Sequence, residues 1–437
     1  MIVEADSKIQ WLIRGIMGVG SIRFLVVPVT LTTAIILARF LDPDAFGVYS
    51  YSMSLSELIA LPVGVALRGL IIRTVAVAHS SNDFKLIDRV RSEALQVVFI
   101  YGALSIILGL TFICLGDSSS LALAAALCLA PIFALYEIYS GILQGLGQPI
   151  LSQLPQLLIR PLFFLVIVTI AWYFDVLSLT VVFAIYAVTS LLVFVILYTY
   201  VCSVLKYNFQ TGSVISSDVN WKKSYLPFLS IELAHFLSLN LGIIFLGMIG
   251  DNEGAAGMRV AQSAGLILIF PIVAVEILIQ PRIAQLSDLK EHIEFKKIYR
   301  TGARIATVMC LIMAIPLIFY VEILISVTFG DNYAELAADP IRIIVVARVI
   351  QACMGVSDKF LLMTRHERSV LFSQIIALAI TLTVLVFLAP IMSTKGAAVA
   401  IALGLTSKVF IEACLVRQIF GQWFGIFMNT SDLPKKA

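Results

Sequence analysis

The chain is poor in charge and poorer in histidine: 13% of its 437 residues are charged and only four are histidine. A soluble domain carries about 25% charged residues, so a water-facing globular surface is excluded. The six cysteines, Cys114, Cys128, Cys202, Cys310, Cys353 and Cys414, fall singly, without paired ligand spacing. That excludes a disulfide framework and a cysteine metal cluster, and no cofactor or metal is implied. Lys and Arg exceed Asp and Glu by only three charges, which leaves no basis for a nucleic-acid partner. A cleavable leader is not expected, because the first apolar stretch follows Asp6 and Lys8 and runs too long for a signal core.

What the chain has in abundance is apolar length. Apolar residues make up 60% of it, and the mean hydropathy is +1.01. About 20 apolar residues in a helix cover the roughly 30 Å of hydrocarbon and satisfy their own backbone there. Stretches of that kind lie at 15–38, 49–72, 93–115, 121–143, 152–174, 179–201, 226–249, 255–279, 303–328, 341–363, 369–391 and 396–419. The expected fold is an all-α polytopic membrane protein, with 12 transmembrane helices in two six-helix lobes around a central cavity.

Lys and Arg collect in cytoplasmic loops. The loops on one side hold Arg73, Lys85, Arg89, Arg91, Lys222, Lys223, Arg282, Lys296, Lys297 and Arg300, among others; the opposite loops hold only Arg39, Arg342 and Lys395. Both termini are therefore expected on the cytoplasmic side.

The chain also repeats itself at an offset of about 210 residues. Gly47, Pro62 and Arg73 recur as Gly257, Pro271 and Arg282, and Leu115-Gly116-Asp117 recurs as Phe329-Gly330-Asp331. With six spans per copy, the copies keep one orientation and are related by an axis along the membrane normal. The expected domains are an N-terminal lobe at 1–202, a cytoplasmic linker at 203–224 and a C-terminal lobe at 225–437. Such a repeat suits a transporter that rocks, by analogy of architecture.

Six segments in order carry a further resemblance. They are Ala38-Arg39-Phe40-Leu41-Asp42-Pro43-Asp44-Ala45-Phe46-Gly47-Val48-Tyr49, Gly141-Ile142-Leu143-Gln144-Gly145-Leu146-Gly147-Gln148, Gly257-Met258-Arg259-Val260-Ala261, Pro281-Arg282-Ile283-Ala284, Phe329-Gly330-Asp331-Asn332-Tyr333 and Lys395-Gly396-Ala397-Ala398-Val399-Ala400. In these the chain resembles the polysaccharide flippases of the multidrug/oligosaccharidyl-lipid/polysaccharide superfamily, the O-antigen type in particular. The resemblance implies a transporter, not an enzyme, that carries undecaprenyl-pyrophosphate-linked oligosaccharide from the cytoplasmic to the periplasmic leaflet of a bacterial inner membrane. It implies membrane lipid around it, and a polysaccharide polymerase and glycosyltransferases as partners. The two additional C-terminal spans expected of lipid II flippases are not expected here.

Seven cations lie four or more residues inside the ends of the predicted spans: Arg23, Arg68, Arg160, Arg259, Arg348, Lys359 and Lys408. Each costs about 2.5–3.5 kcal/mol at mid-helix, so most must face protein, water or the interface. Arg23, Arg68, Arg160, Arg259, Arg348 and Lys408 are candidate cargo-binding residues, since guanidinium forks suit pyrophosphate oxygens. The blander reading is snorkelling or pairing with an acid, which suits Arg68 near a span end and Lys359 beside Asp358. Lys408 has Glu412 one turn on. Glu57, Glu276, Glu137 and Glu232 are candidate ion-coupling residues, since an acid inside a span can exchange a proton; the alternative is a structural partner for an arginine.

Two rival functions remain. A multidrug antiporter of the same superfamily would usually place a carboxylate in the first lobe and bind cations. A membrane glycosyltransferase or polymerase would use an external acidic motif such as Asp42-Pro43-Asp44, although that motif also reads as a polar turn before a helix.

Overall fold

The computed structural model describes residues 25–81, 83–113, 118–208, 221–288, 292–355, 357, 361 and 366–420, and the described residues form helices without strands. The helices are α1 (Leu25–Phe40), α2 (Pro43–Ala60), α3 (Val65–Ser80), α4 (Phe84–Ile113), α5 (Ser118–Gly145), α6 (Pro149–Leu154), α7 (Arg160–Tyr173), α8 (Leu179–Asn208), α9 (Trp221–Met248), α10 (Asn252–Asp288), α11 (His292–Phe319), α12 (Val321–Thr328), α13 (Asn332–Met354) and α14 (Glu367–Phe420). Among the described residues, seven stretches are long and apolar enough to cross a membrane, or eight when α2 and α3 are taken as one bent span.

The remaining predicted spans fall on helices that are short or charged. The apolar part of α1 covers Leu25–Phe40 and that of α9 covers Glu232–Met248, while α13 carries Glu335, Asp339, Arg342 and Arg348. One long stretch, Arg368–Gln418 in α14, has 51 residues. At 1.5 Å per residue that is about 76 Å, more than twice the hydrocarbon thickness. It is folded in two at Ser393, which sits at φ 48° and ψ −126°. A Cβ on Gly396 would strike the Leu388 carbonyl, and one on Gly404 would strike Thr381 and lie 3.1 Å from Ala377 O. Gly404 and Thr381, 23 positions apart, meet in this way only if the two halves run antiparallel. They match the predicted spans 369–391 and 396–419.

The chain divides into two compact units, Met1–Phe236 and Leu237–Ala437, so the division falls within α9. In the first unit α5 is the hub, packed by α2, α3, α4 and α8. Its Leu123–Gly145 window is 78% buried, against 28% for α4 and 17% for Pro149–Tyr173. The core gathers Ile71, Ile87, Ile138, Tyr139, Ile142, Leu143 and Leu197, while Phe99, Ile100, Ile107, Val166 and Ile170 stand exposed. Large apolar side chains exposed along whole helices suit a lipid surface. In the second unit α13 packs against α10, α11, α12 and α14.

The repeat shows in the helix starts. Asp42 accepts from Ala45 N at 3.2 Å at the head of α2, and Asp251 accepts from Gly254 N at 2.8 Å at the head of α10, about 210 residues later. Each carboxylate satisfies an amide that the first helical turn leaves without a partner. Asp251 also accepts from Ser393 Oγ, which ties this cap to the reversal in α14. Asp251→Ala removes both links, and we expect thermal unfolding in detergent to show a loss of about 1–2 kcal/mol.

Beyond their caps the two copies differ. α10 continues through Pro271 to Asp288, whereas the first copy breaks between Ala60 and Val65 and bends by 44°. Pro62 has no N–H to give, and Ala66 N reaches back to Leu61 O at 3.1 Å, five residues away. That shift leaves the Pro62 carbonyl for Tyr225 Oη at 2.9 Å, while Tyr101 Oη donates to Ile59 O at 2.5 Å. Two tyrosines therefore cap the carbonyls that the bend exposes. Just before it, Ser50, Ser52 and Ser56 donate to carbonyls four residues back, each at 2.7 Å, a pattern that bends helices.

Candidate functional site

The polar centre of the first unit depends on how closely α3 approaches α5. Gly141 and Gly145 form a small-xxx-small pair, which lets membrane helices touch backbone to backbone. A Cβ on Gly145 would lie 2.7 Å from Val75 Cβ, one on Gly141 would lie 3.2 Å from Arg68 Cγ, and one on Gly64 would lie 3.0 Å from Ala134 Cα. Gly145→Ala must therefore push α3 off α5, and we expect a loss of about 1–3 kcal/mol in thermal unfolding.

At this contact Arg68 Nη1 donates to Glu137 Oε2 at 2.7 Å, and Arg68 Nη2 donates to Gln144 Oε1 at 3.0 Å. Glu137 and Gln144 are seven residues apart, two turns along the α5 face that meets α3. The other oxygen, Glu137 Oε1, accepts from Gln156 Nε2 at 3.2 Å. Gln156 lies in a π-helical turn, Pro155–Ile159, between α6 and α7; such turns commonly mark functional sites. Glu232, half-buried on α9, interacts electrostatically with both Arg68 and Glu137 and forms no ion pair with them.

Arg160 opens α7 directly after the π turn. Its guanidinium carbon lies 5.6 Å from the Phe133 ring centre and 5.2 Å from that of Tyr186, with Phe164 edge-on to Tyr186. This is a cation–π seat. No carboxylate pairs with Arg160 among the described residues.

The cations of the second unit are placed differently. Lys408 Nζ is 3.9 Å from Glu412 Oε1, and the same oxygen accepts from Ser373 Oγ at 3.0 Å. Arg348 Nη1 donates to Gln351 Oε1 at 2.8 Å. Its Nε is buried without a partner. Arg348 forms no ion pair among the described residues, and the Arg259 side chain has neither ion pair nor hydrogen bond among them. The two are not adjacent. Gly257 approaches Leu336 and Gly265 approaches Ile344, so α10 and α13 run parallel in a fixed register that places Arg348 level with about residue 269. Ten residues then separate the two arginines along the axis, about 15 Å.

Near the ends of the predicted spans, Arg342 bonds Glu322 and Asp339, both at 2.9 Å, and Lys395 lies 2.6 Å from Asp339. The Lys395 ammonium first, then the Arg342 guanidinium, hold the Asp339 carboxyl below the usual carboxylate range. This link between α13 and α14 is complete at neutral pH and lost only as acid titrates the carboxylate.

Set against the expected site, the structure brings Arg68 and Glu137 together, with Glu232 beside them, and joins Lys408 to Glu412. It keeps Arg259 and Arg348 apart and puts Glu57 on an exposed face of α2. Arg23, Lys359 and the Glu276 side chain lie outside the described residues. Gln144, Gln156 and Gln351 are the polar partners that the sequence analysis does not single out. The Gly141-Ile142-Leu143-Gln144-Gly145 spacing was the available signal for the first of these.

The fold is that of membrane transporters. No family model matches the chain, and no curated protein matches it. Among solved structures it is similar to a multidrug resistance MATE family transporter of the MOP superfamily in an inward-facing conformation. The TM-score is 0.73 at 14% identity, covering 92% of this chain and 98% of that one. It is also similar to the lipid II flippase MurJ in an inward closed conformation, with a TM-score of 0.68 at 11% identity over 91% of this chain and 87% of that one. A third neighbour is a MOP superfamily transporter from Pyrococcus furiosus whose binding pocket is described as of reverse polarity, with a TM-score of 0.62 at 15% identity over 94% and 96%. The chain thus has the fold shared by the MATE transporters and MurJ, in keeping with its multi-pass apolar helices.

Proposed function

We propose that the chain is a flippase for lipid-linked oligosaccharide, undecaprenyl-pyrophosphate-linked O-antigen or another surface-polysaccharide repeat unit, working by alternating access. It would cross the bacterial inner membrane twelve times, with lobes at 1–202 and 225–437 and a linker at 203–224, and with both termini in the cytoplasm. A polysaccharide polymerase and glycosyltransferases would be its working partners. The observation that carries this reading is Arg348, a half-buried arginine whose Nε is buried without a partner and which no carboxylate pairs among the described residues.

A cation in a span without a counter-charge is costly and marks a functional pathway. An anionic cargo supplies the missing charge. Arg259, also without a carboxylate among the described residues, adds a second cation about 15 Å away along the helices. Arg23 and Arg160 join them in the proposal. Arg68 and Lys408 already have carboxylate partners and are less available to cargo. The sugars would travel through a polar path while the polyprenyl tail stays in lipid, because hydrocarbon leaves sugar hydroxyls without hydrogen bonds. The MurJ neighbour is a flippase of lipid II, which supports a lipid-linked cargo.

The multidrug antiporter reading is favoured by a different observation, the carboxylates Glu137 and Glu232 in the first unit, and by the MATE neighbour. An external enzymatic motif at Asp42-Pro43-Asp44 is disfavoured because the Asp42 carboxylate is used as a helix cap. Binding to the purified protein separates the first two readings. The flippase reading expects a polyprenyl-pyrophosphate oligosaccharide to raise the unfolding temperature while a cationic dye does not. The reverse ordering supports the antiporter.

A further inference from the structure

The span expected at 303–328 does not run through as one helix. α11 ends at Phe319, and the chain breaks at Tyr320, at φ −115° and ψ 20°, before α12 begins. Arg342 on α13 pins the break. Its Nε donates to the Ile318 carbonyl at 3.2 Å, one of the last carbonyls of α11, which lack partners within the helix. Its Nη2 donates to Glu322, in the first turn of α12, at 2.9 Å. Further on, Ser326 donates to Asp331 at the head of α13, and Gly330 closes the turn at φ 108°. α12 therefore lies antiparallel along residues 331–342 and packs against α13.

The polar side chains of α12 are all engaged inside the protein: Glu322 with Arg342, Ser326 with Asp331, and Thr328 with the Leu324 carbonyl at 2.6 Å. Val321 and Ile325 are buried. Tyr320, Ile323, Leu324 and Val327, spaced i, i+3, i+4 and i+7, share the opposite face. They are exposed, Ile323 by 63% and Val327 by 66%. On the facing arm the exposed residues are Asn332 and Glu335. The hairpin of α12 and α13 thus has one apolar side and one polar side.

Its depth follows from Gly257. A Cβ there would lie 3.0 Å from the Leu336 carbonyl oxygen and 3.2 Å from Thr394 Cγ2. Leu336 is therefore level with the reversal in α14, where the spans 369–391 and 396–419 meet at one membrane surface. α12, alongside residues 331–342, straddles that surface.

We propose that α12 is an interfacial helix, with its outward face seated in the phospholipid acyl chains of the leaflet at that end, the periplasmic leaflet in the proposed topology. An amphipathic helix at such a boundary sinks its apolar face about 5–10 Å. Lipid is the occupant because the face continues the exposed apolar face of α11 at Ile312, Ile315 and Phe319, and because Ile391, two residues before the α14 reversal, is also exposed. Tyr320 at the junction suits the headgroup level, where tyrosine is enriched. Seated in this way, α12 sets the depth of α13, whose Arg348 lies six residues past Arg342, about 9 Å further into the membrane.

The test uses full-length protein in vesicles of phosphatidylethanolamine and phosphatidylglycerol. The photoreactive residue p-benzoylphenylalanine replaces Ile323 or Val327, with Ile312 and Glu335 as reference positions, and the adducts are mapped by mass spectrometry. Positions 323 and 327 are expected to give phospholipid adducts on acyl carbons nearer the glycerol than those reached from 312, and 335 to give severalfold fewer. Adducts as deep as those from 312 would make α12 part of a transmembrane span and overturn the proposal. So would adducts to a second copy of the chain, or none at all. In bacterial membranes, an adduct to another protein in place of lipid also overturns it. Both positions are exposed, so the probe displaces no core side chain, and either one decides the matter where the other variant does not fold. No cargo is present, so the outcome is independent of the flippase reading.

Discussion

Arg348→Met lowers oligosaccharide delivery by about 10- to 100-fold while leaving the unfolding temperature unchanged or higher. The first half follows from what a charged hydrogen bond contributes, about 1.5–3 kcal/mol, at 1.4 kcal/mol per tenfold. The second half follows from the surroundings of the side chain. Its Nε is buried without a partner, its Nη1 donates to Gln351, and the electrostatically coupled Cys310 packs in an apolar cluster with Ile272 and Ala352. Replacing an uncompensated buried charge by an apolar side chain of similar volume is neutral or stabilising. A structural arginine gives the opposite pairing, lower stability with transport falling only in step with protein level. Arg348→Lys keeps the charge and loses the planar fork, so partial recovery is expected. Delivery per folded molecule and thermal unfolding, measured on the same preparations, separate the two cases.

Arg68→Met is expected to cost about 3 kcal/mol of stability at neutral pH. Breaking a buried pair costs about 3–5 kcal/mol, and the lower end applies because the Arg68 side chain is 21% exposed. The substitution keeps the alkyl stem that packs against Gly141 and leaves Glu137 and Glu232 facing each other without a cation. Glu137→Gln should cost less than half as much, since Arg68 then has Glu232 as its counter-charge. Thermal unfolding of both variants tests this. Equal costs for the two variants would contradict the shared arrangement.

The contrast between these two arginines marks how far the sequence could be read. Helices long enough to cross a membrane were legible because hydrocarbon demands an unbroken apolar run, and the turn at Ser393 fell between two such runs. The repeat was legible from Gly47 and Gly257, although not the shared helix caps, since Asp42 and Asp251 gain that meaning only from the amides they accept. The charge inventory was legible; its pairing was not. Arg68 and Glu137 are separated by 69 positions and meet because glycines bring α3 onto α5, a contact that no local periodicity encodes. Arg160, with no acid nearby in sequence, takes aromatic rings instead. The level at which Arg259 and Arg348 stand depends on the register of α10 against α13, a tertiary quantity that span assignment leaves open.

The most direct measurement is leaflet-resolved delivery of a pyrophosphate-linked oligosaccharide in bacterial cells that lack their own flippase, with and without this chain. Restored delivery to the periplasmic leaflet, reduced about 10- to 100-fold by Arg348→Met at equal protein level, is the expected result. No delivery with any of several sugar types, together with extrusion of cationic dyes, would contradict the flippase and establish the antiporter.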